Sequence, residues 1–204
     1  MPEEHVIVEA GYDQIAEPYA RALAEVRGTG SYFRAFLDRA LDRIPEGGLV
    51  LDLGCGAGLV SAELAPRARV VALDVSAGQL SLARARAPRA MLVRADLAAV
   101  AFRAGVFDTV LAFWSLIHVR RDLHAEVLRR IHVWLRPGGS LVGTLGSGDN
   151  PRELAEDYFG APMYWSHFDA ATNRRLVRGA GFRIVQADEI EDGGETPLWI
   201  VAEA

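Results

Sequence analysis

Two rhythms of apolar residues alternate along the chain. Short apolar runs, LVLDL from Leu49, RVVALDV over Arg69 to Val75 and FDTVLAFW over Phe107 to Trp114, read as strands of a buried parallel sheet, the last of them central. The stretches between them carry apolar residues at helical spacing and are closed by proline or glycine. Residues 11–44 predict two helices broken near Gly28 to Ser31. A short helix ends near Ala65 before Pro66, and an Ala- and Arg-rich helix over 76–87 stops at Pro88. Ala90 to Ala95 is a third strand, Arg121 to Arg136 an amphipathic helix, Pro137 to Gly139 a turn and Ser140 to Leu145 a fifth strand. Asp169 to Ala180 is the last helix, with Asp169 as N-cap and Gly181 at its C-terminus. Two strands, Phe182 to Ile190 and Pro197 to Ala202, follow as a hairpin joined by EDGGET. Strand–helix alternation at this rhythm predicts a parallel sheet with right-handed crossovers.

The stretch that carries chemistry is LVLDLGCGAG, Leu49 to Gly58. Asp52 closes the apolar run, and Gly54, Gly56 and Gly58 stand at alternate positions before a helix. Glycines there permit a left-handed turn and leave the backbone bare for a ligand. The following helix start directs unpaired N–H groups and a partial positive charge at it, which suits a carboxylate or phosphate. A dinucleotide fingerprint requires a third glycine where Leu59 stands. Asp74, at the end of the second strand and about twenty residues beyond Asp52, is placed to accept from a ribose diol. Its other role is to cap the next helix, for which Ser76 also qualifies.

The spacing of Asp52, Gly54, Gly56 and Gly58 resembles the first motif of the class I S-adenosylmethionine-dependent methyltransferases. Leu135 to Leu141, LRPGGSL, resembles a turn common in the small-molecule members, and the final hairpin fits their seven-stranded sheet. The resemblance implies an α/β Rossmann-like fold: a mostly parallel seven-stranded sheet with an antiparallel C-terminal hairpin and helices on both faces. It implies S-adenosylmethionine as cofactor and S-adenosylhomocysteine as product, held around Asp52, Gly54, Cys55, Gly56 and Gly58, with Val75 and Leu97 beside the adenine. Asp96 stands where the family accepts from the adenine amine, and otherwise caps its turn. Phe113, with Ala112, faces the amino-acid part. Tyr12, Asp13, Ile15, Ala16 and Tyr19 match an N-terminal lid helix of related enzymes, though both tyrosines also suit an amphipathic helix with buried rings. The whole chain, 1–204, is read as one domain, with 1–45 as helical lid and 146–168 as an insertion on the substrate side.

Composition narrows the acceptor. The formal net charge of −5 argues against nucleic acid and anionic membranes, which leaves a small molecule. Neither a leader pattern nor an apolar run of spanning length stands out, so the expectation is a cytoplasmic protein. The chain contains no lysine, which suggests a high-GC bacterial source and removes Schiff-base chemistry and a Tyr/Lys reductase pair. Cys55 excludes an internal disulfide by being alone, and packing explains it better than catalysis. No spacing suits a metal. His118, past the fourth strand, and His167, in YWSHF, are the candidate proton acceptors, with packing or capping as their structural alternative. Trp114, Tyr164 and Trp165 are candidate acceptor walls. A non-catalytic S-adenosylmethionine or nucleoside binder, or an NAD(P)-dependent reductase, is the competing function. Composition and motifs leave the methylated element and the oligomeric state open.

Overall fold

The computed structural model describes residues 3–26 and 31–204. Three helices come first: α1 (Glu4–Gln14), α2 (Ala16–Val26) and α3 (Tyr32–Leu41). The two-helix expectation is corrected by an interruption at Ile15. Pro18 supplies the reason: it has no N–H for the carbonyl four residues back and its ring clashes there, so α1 ends at Gln14 and Pro18 sits in the first turn of α2. The expected break at Gly28 to Ser31 falls mostly on residues 27–30, outside the described residues.

The main sheet is built from β1 (Leu49–Leu53), β2 (Arg69–Asp74), β3 (Met91–Arg94), β4 (Phe107–Ala112), β5 (Leu135–Leu145), β8 (Arg183–Glu189) and β9 (Leu198–Glu203). Their order across it is β3-β2-β1-β4-β5-β9-β8. β9 runs antiparallel to both neighbours and slots between β5 and β8, so it alone opposes the other six strands. The helices α4 (Leu59–Leu64), α5 (Ala77–Arg86), α6 (His124–Trp134) and α7 (Ala170–Gly179) complete the alternation. Two apolar clusters hold the helices to the sheet, one around Leu53, Leu128 and Trp134, the other around Phe36, Leu64 and Trp199. Each fully buried side chain of this kind contributes about 1.5–3 kcal/mol relative to exposure.

Three boundaries differ from the sequence expectation. β4 ends at Ala112, because Trp114 turns to φ +50 and leaves the strand. The helix expected over 121–136 is a short 3-10 turn (Arg121–Leu123) followed by α6, and β5 already begins at Leu135, which pairs with Phe107 across a bulge. Most consequential is 146–168. This insertion, to which the sequence assigns no strands, contains the antiparallel pair β6 (Asn150–Tyr158) and β7 (Ala161–His167), a separate two-stranded sheet. β6 is exposed at nearly every position and rich in charge, so no alternation announces it.

This hairpin and the first helix share a third apolar cluster, Val8, Ile15, Ala161, Met163 and Tyr164, apart from the main core. Gly11 allows the contact. A Cβ there would lie 2.6 Å from the Pro162 carbonyl oxygen, closer than side chains come. Helix α1 and the hairpin therefore pack as one layer.

Candidate active site

The site lies beyond the carboxyl ends of β1, β2 and β4, where the strand order reverses direction across the sheet, as ligand sites do in open α/β folds. Gly54, Gly56 and Gly58 all have positive φ, +80, +51 and +76, and carry the chain from β1 into α4. Gly58 backs onto α5, where a Cβ would meet Ala83 at 3.0 Å, so it serves helix packing and does not line the cleft. Cys55 is buried, and burial beside Asp52 and Asp74 pushes its thiol far above the ordinary range. It stays a neutral, inert side chain.

The two strand-end acids differ in their partners. Asp52 Oδ2 accepts from the Ser61 hydroxyl at 2.6 Å, and burial raises its pKa to about 6. Asp74 accepts from the Gly56 amide at 2.8 Å and the Ser76 amide at 2.9 Å, binding the glycine turn to β2; burial raises its pKa as well. Ser76 takes the capping role on α5, accepting from the Gln79 amide at 3.0 Å. A carboxylate has about four acceptor positions, so Asp74 keeps outer lone pairs for a ligand. Asp96, two residues past β3, accepts from the Ala98 amide at 2.8 Å and lines the same cleft with Leu97 and Val75.

Gln79 is a site residue that sequence reasoning missed. Ser76 and Gln79 make the S-x-x-Q pattern in which the glutamine reaches back to the N-cap amide. Here Asp74 has already taken that amide, so the buried Gln79 carboxamide is left with neither its oxygen nor its nitrogen paired, on the cleft wall. The Ser115 hydroxyl, also unpaired, lines the same cleft. Buried polar atoms without partners are expensive in a native protein unless a ligand completes them. Together with the acids and the glycine-turn amides, they fit a polar ligand bearing donors, acceptors and positive charge, as S-adenosylmethionine does. The cleft has about 970 Å³ of open volume and also takes in Tyr12, Tyr19, Phe113, Trp114 and His118.

His118 stands on a 3-10 turn (Leu116–His118) after β4. Its Nδ1 lies 2.8 Å from the Tyr164 carbonyl oxygen, which only accepts, so Nδ1 carries the proton. Nε2 is then a free lone pair, and it accepts from the Tyr12 hydroxyl at 2.8 Å. Burial lowers the His118 pKa to about 4 and raises that of Tyr12, so the pair is neutral: phenol donating to imidazole. Helix α1 is fixed by a second contact. Asp13 Oδ1 accepts from the Ser76 hydroxyl at 2.6 Å and the Gly78 amide at 2.9 Å, tying α1 to the start of α5.

The remaining candidates separate. Trp114 and Trp165 line a second chamber that shares Tyr12, Tyr19, Trp114 and His118 with the first cleft. Tyr164 is buried in the layer of α1 and the hairpin and contributes its carbonyl, so the ring itself is no acceptor wall. His167 lies outside both cavities, with Nδ1 bonded to the Gly148 carbonyl at 2.8 Å, and is not brought to His118. The hairpin turns its side chain toward the 146–148 loop. Among the described residues no group of His, Cys, Asp or Glu has metal-site geometry, and no helix is long and apolar enough to cross a membrane.

With this geometry in hand, comparison with known proteins places the chain. Residues 50–139 match the methyltransferase domain model. The malonyl-[acyl-carrier protein] O-methyltransferase of Legionella pneumophila is 35% identical over 121 residues, 56% of this chain and 42% of that protein. The mitochondrial arginine-hydroxylase NDUFAF5 of Danio rerio is 30% identical over 162 residues, 74% of this chain and 50% of that protein. This chain thus spans about half the length of these curated relatives. Among solved structures, the DhpI complex with SAH superposes at a TM-score of 0.80 with 20% identity, covering 97% of this chain and 95% of that one, which speaks for the fold. The fold is that of a Rossmann-like methyltransferase. Residues 50–139 carry a methyltransferase domain, and the chain as a whole is similar to S-adenosylmethionine-dependent methyltransferases.

Proposed function

We propose that the chain transfers a methyl group from S-adenosylmethionine to a small-molecule acceptor. One observation carries the reading: the donor cleft and a second chamber meet at Tyr12, Trp114 and His118. A fold does not fix a reaction, and one relative here is a hydroxylase, so function has to be argued from that site.

When bound in the cleft, S-adenosylmethionine would supply an electrophilic methyl carbon for the acceptor's lone pair, the electron pair of the broken bond staying on sulfur. The residues do the rest. Asp74, Asp96 and Gln79 bind the nucleoside part, the glycine-turn amides and Asp52 hold the amino-acid part, and the lid excludes water. Tyr12 takes the acceptor's proton as its own passes to His118 Nε2, so the imidazole becomes the imidazolium and charge balances. Timing follows from magnitude. The gap between a His118 pKa of about 4 and a phenol's ordinary value of about 10 corresponds to roughly 8 kcal/mol, so the proton leaves with or after methyl transfer, never before it.

On this reading residues 1–204 act as one domain, with 1–45 as lid and 146–168 as acceptor-side roof. An acceptor that is not a nucleic acid accords with the net charge of −5. The test is S-adenosylhomocysteine release, followed by mass spectrometry, with a panel of amines, phenols and thiols. Release coupled to a methylated product supports transfer. Cofactor binding without turnover on any acceptor supports a binding protein instead, and NADH binding would point to a reductase.

A further inference from the structure

We infer that the second chamber is an acceptor site for planar aromatic compounds that are neutral or cationic, a reading that rests on the methyl-transfer function above. The wall of the chamber is a closed circuit of five rings. Trp165 lies 5.7 Å from His118, His118 5.2 Å from Tyr12, Tyr12 5.1 Å from Tyr19, Tyr19 6.0 Å from Tyr158, and Tyr158 4.9 Å from Trp165. The rings come from the lid helices, the turn after β4 and the β6–β7 hairpin, so only the folded roof assembles them. Aromatic surfaces of this kind select flat π-systems.

Backbone strain marks the same chamber. Among the described residues two that are not glycine have positive φ, Trp114 (+50) and Phe159 (+56), and both face this space. Phe159 occupies the first of two turn positions in the hairpin, ahead of Gly160 at φ +96, where Asn-Gly is the unstrained choice. It is 49% exposed, so core packing does not account for a phenylalanine there. Its ring stands 5.8 Å from Tyr19 and extends the aromatic wall. Strain held at two rings around one cavity points to a ligand.

Charge sets the second half of the specificity. Asp192 and Glu195 lie across the chamber. Asp192 is held by the Tyr32 and Phe33 amides and Glu195 by the Trp114 indole, so both carboxylates are fixed in place. Their charge and the ring faces favour a cation and disfavour a carboxylate or phosphate. The nucleophilic oxygen or nitrogen of such a compound then faces Tyr12 and His118 at the junction with the donor cleft.

The test titrates protein saturated with S-adenosylhomocysteine with indole, tyramine, benzoate and malonate, by calorimetry and tryptophan fluorescence. Indole and tyramine are expected to bind saturably and quench, benzoate at least tenfold more weakly, and malonate not at all. Phe159→Gly should weaken indole and tyramine about tenfold, leave S-adenosylhomocysteine affinity within twofold, and not lower the melting temperature. If S-adenosylhomocysteine binds but the aromatic probes do not, or the carboxylates bind as well as tyramine, this inference fails while the methyl-transfer reading stands. It fails equally if Phe159→Gly lowers stability without changing probe affinity. Failure to bind S-adenosylhomocysteine at all overturns both.

Discussion

The Tyr12 hydroxyl donates to His118 Nε2 at 2.8 Å across 106 positions of sequence, joining α1 to the turn after β4 at the junction of the two cavities. Because the Tyr164 carbonyl fixes the tautomer, the pair is directional, phenol to imidazole. Tyr12→Phe and His118→Gln are each expected to lower kcat by about a hundredfold or more, within the range of general acid–base effects. Cofactor affinity should change far less. The double variant should be no worse than the poorer single one, since the two act as a unit. Steady-state kinetics with any accepted substrate, beside calorimetric cofactor binding, checks this.

Asp52 gives the cofactor site a pH dependence. Its carboxyl, ordinarily at 3.8, is raised by burial to about 6, so below that value a proton competes with a cationic ligand for it. At pH 5 roughly a tenth of the protein has Asp52 ionised, and S-adenosylmethionine should bind about tenfold more weakly than at pH 7.5. Calorimetry at pH 6 in buffers of different ionisation heat should register protons released on binding. Asp52→Asn should abolish both effects.

Stability carries two opposing slopes. His118 has its folded pKa depressed to about 4 against 6.5 unfolded, so the unfolded chain binds more protons between these values. The stability it contributes is complete above 6.5 and lost as pH falls towards 4, on the order of 3 kcal/mol. Asp52 is raised, so the folded chain binds more protons between 3.8 and about 6, and stability is regained as pH falls through 6. The two nearly cancel. From pH 7 to 5 the melting temperature of the parent should change little, that of Asp52→Asn should fall, and that of His118→Gln should rise.

Much of the fold and site is legible in the sequence, and the exceptions have physical causes. The strands β1, β2 and β4 and the glycine turn can be read because burial on both faces and left-handed backbone each demand a narrow choice of residues. The β6–β7 hairpin cannot, because its outer strand is exposed and charged and its pairing is long-range. His167 and Tyr164 belong to an aromatic run whose alternation is that of β7, which turns one toward the Gly148 loop and the other into the roof. Gln79 is hidden by an ordinary capping pattern, and only Asp74 taking the Ser76 amide frees it for the cleft.

The docking of α1 on α5 rests on Asp13, which serves Ser76 and Gly78 at once. Asp13→Ala removes two hydrogen bonds worth about 0.5–1.5 kcal/mol each. Hydrogen exchange over residues 4–26 should accelerate, and cofactor affinity should fall several-fold with the main sheet's protection unchanged. Gly11→Ala, which drives a methyl into the Pro162 carbonyl, should loosen the same segment by a different route.

Every functional step above depends on the cleft holding S-adenosylmethionine through the acid at the end of β2. The decisive measurement is calorimetric titration of the protein and of Asp74→Ala with S-adenosylmethionine and S-adenosylhomocysteine. Micromolar binding of both ligands is expected, weakened at least tenfold in the variant, whose melting temperature without ligand shows that it folds. Absence of binding to the parent protein, or equal affinity in a folded Asp74→Ala, would contradict this assignment.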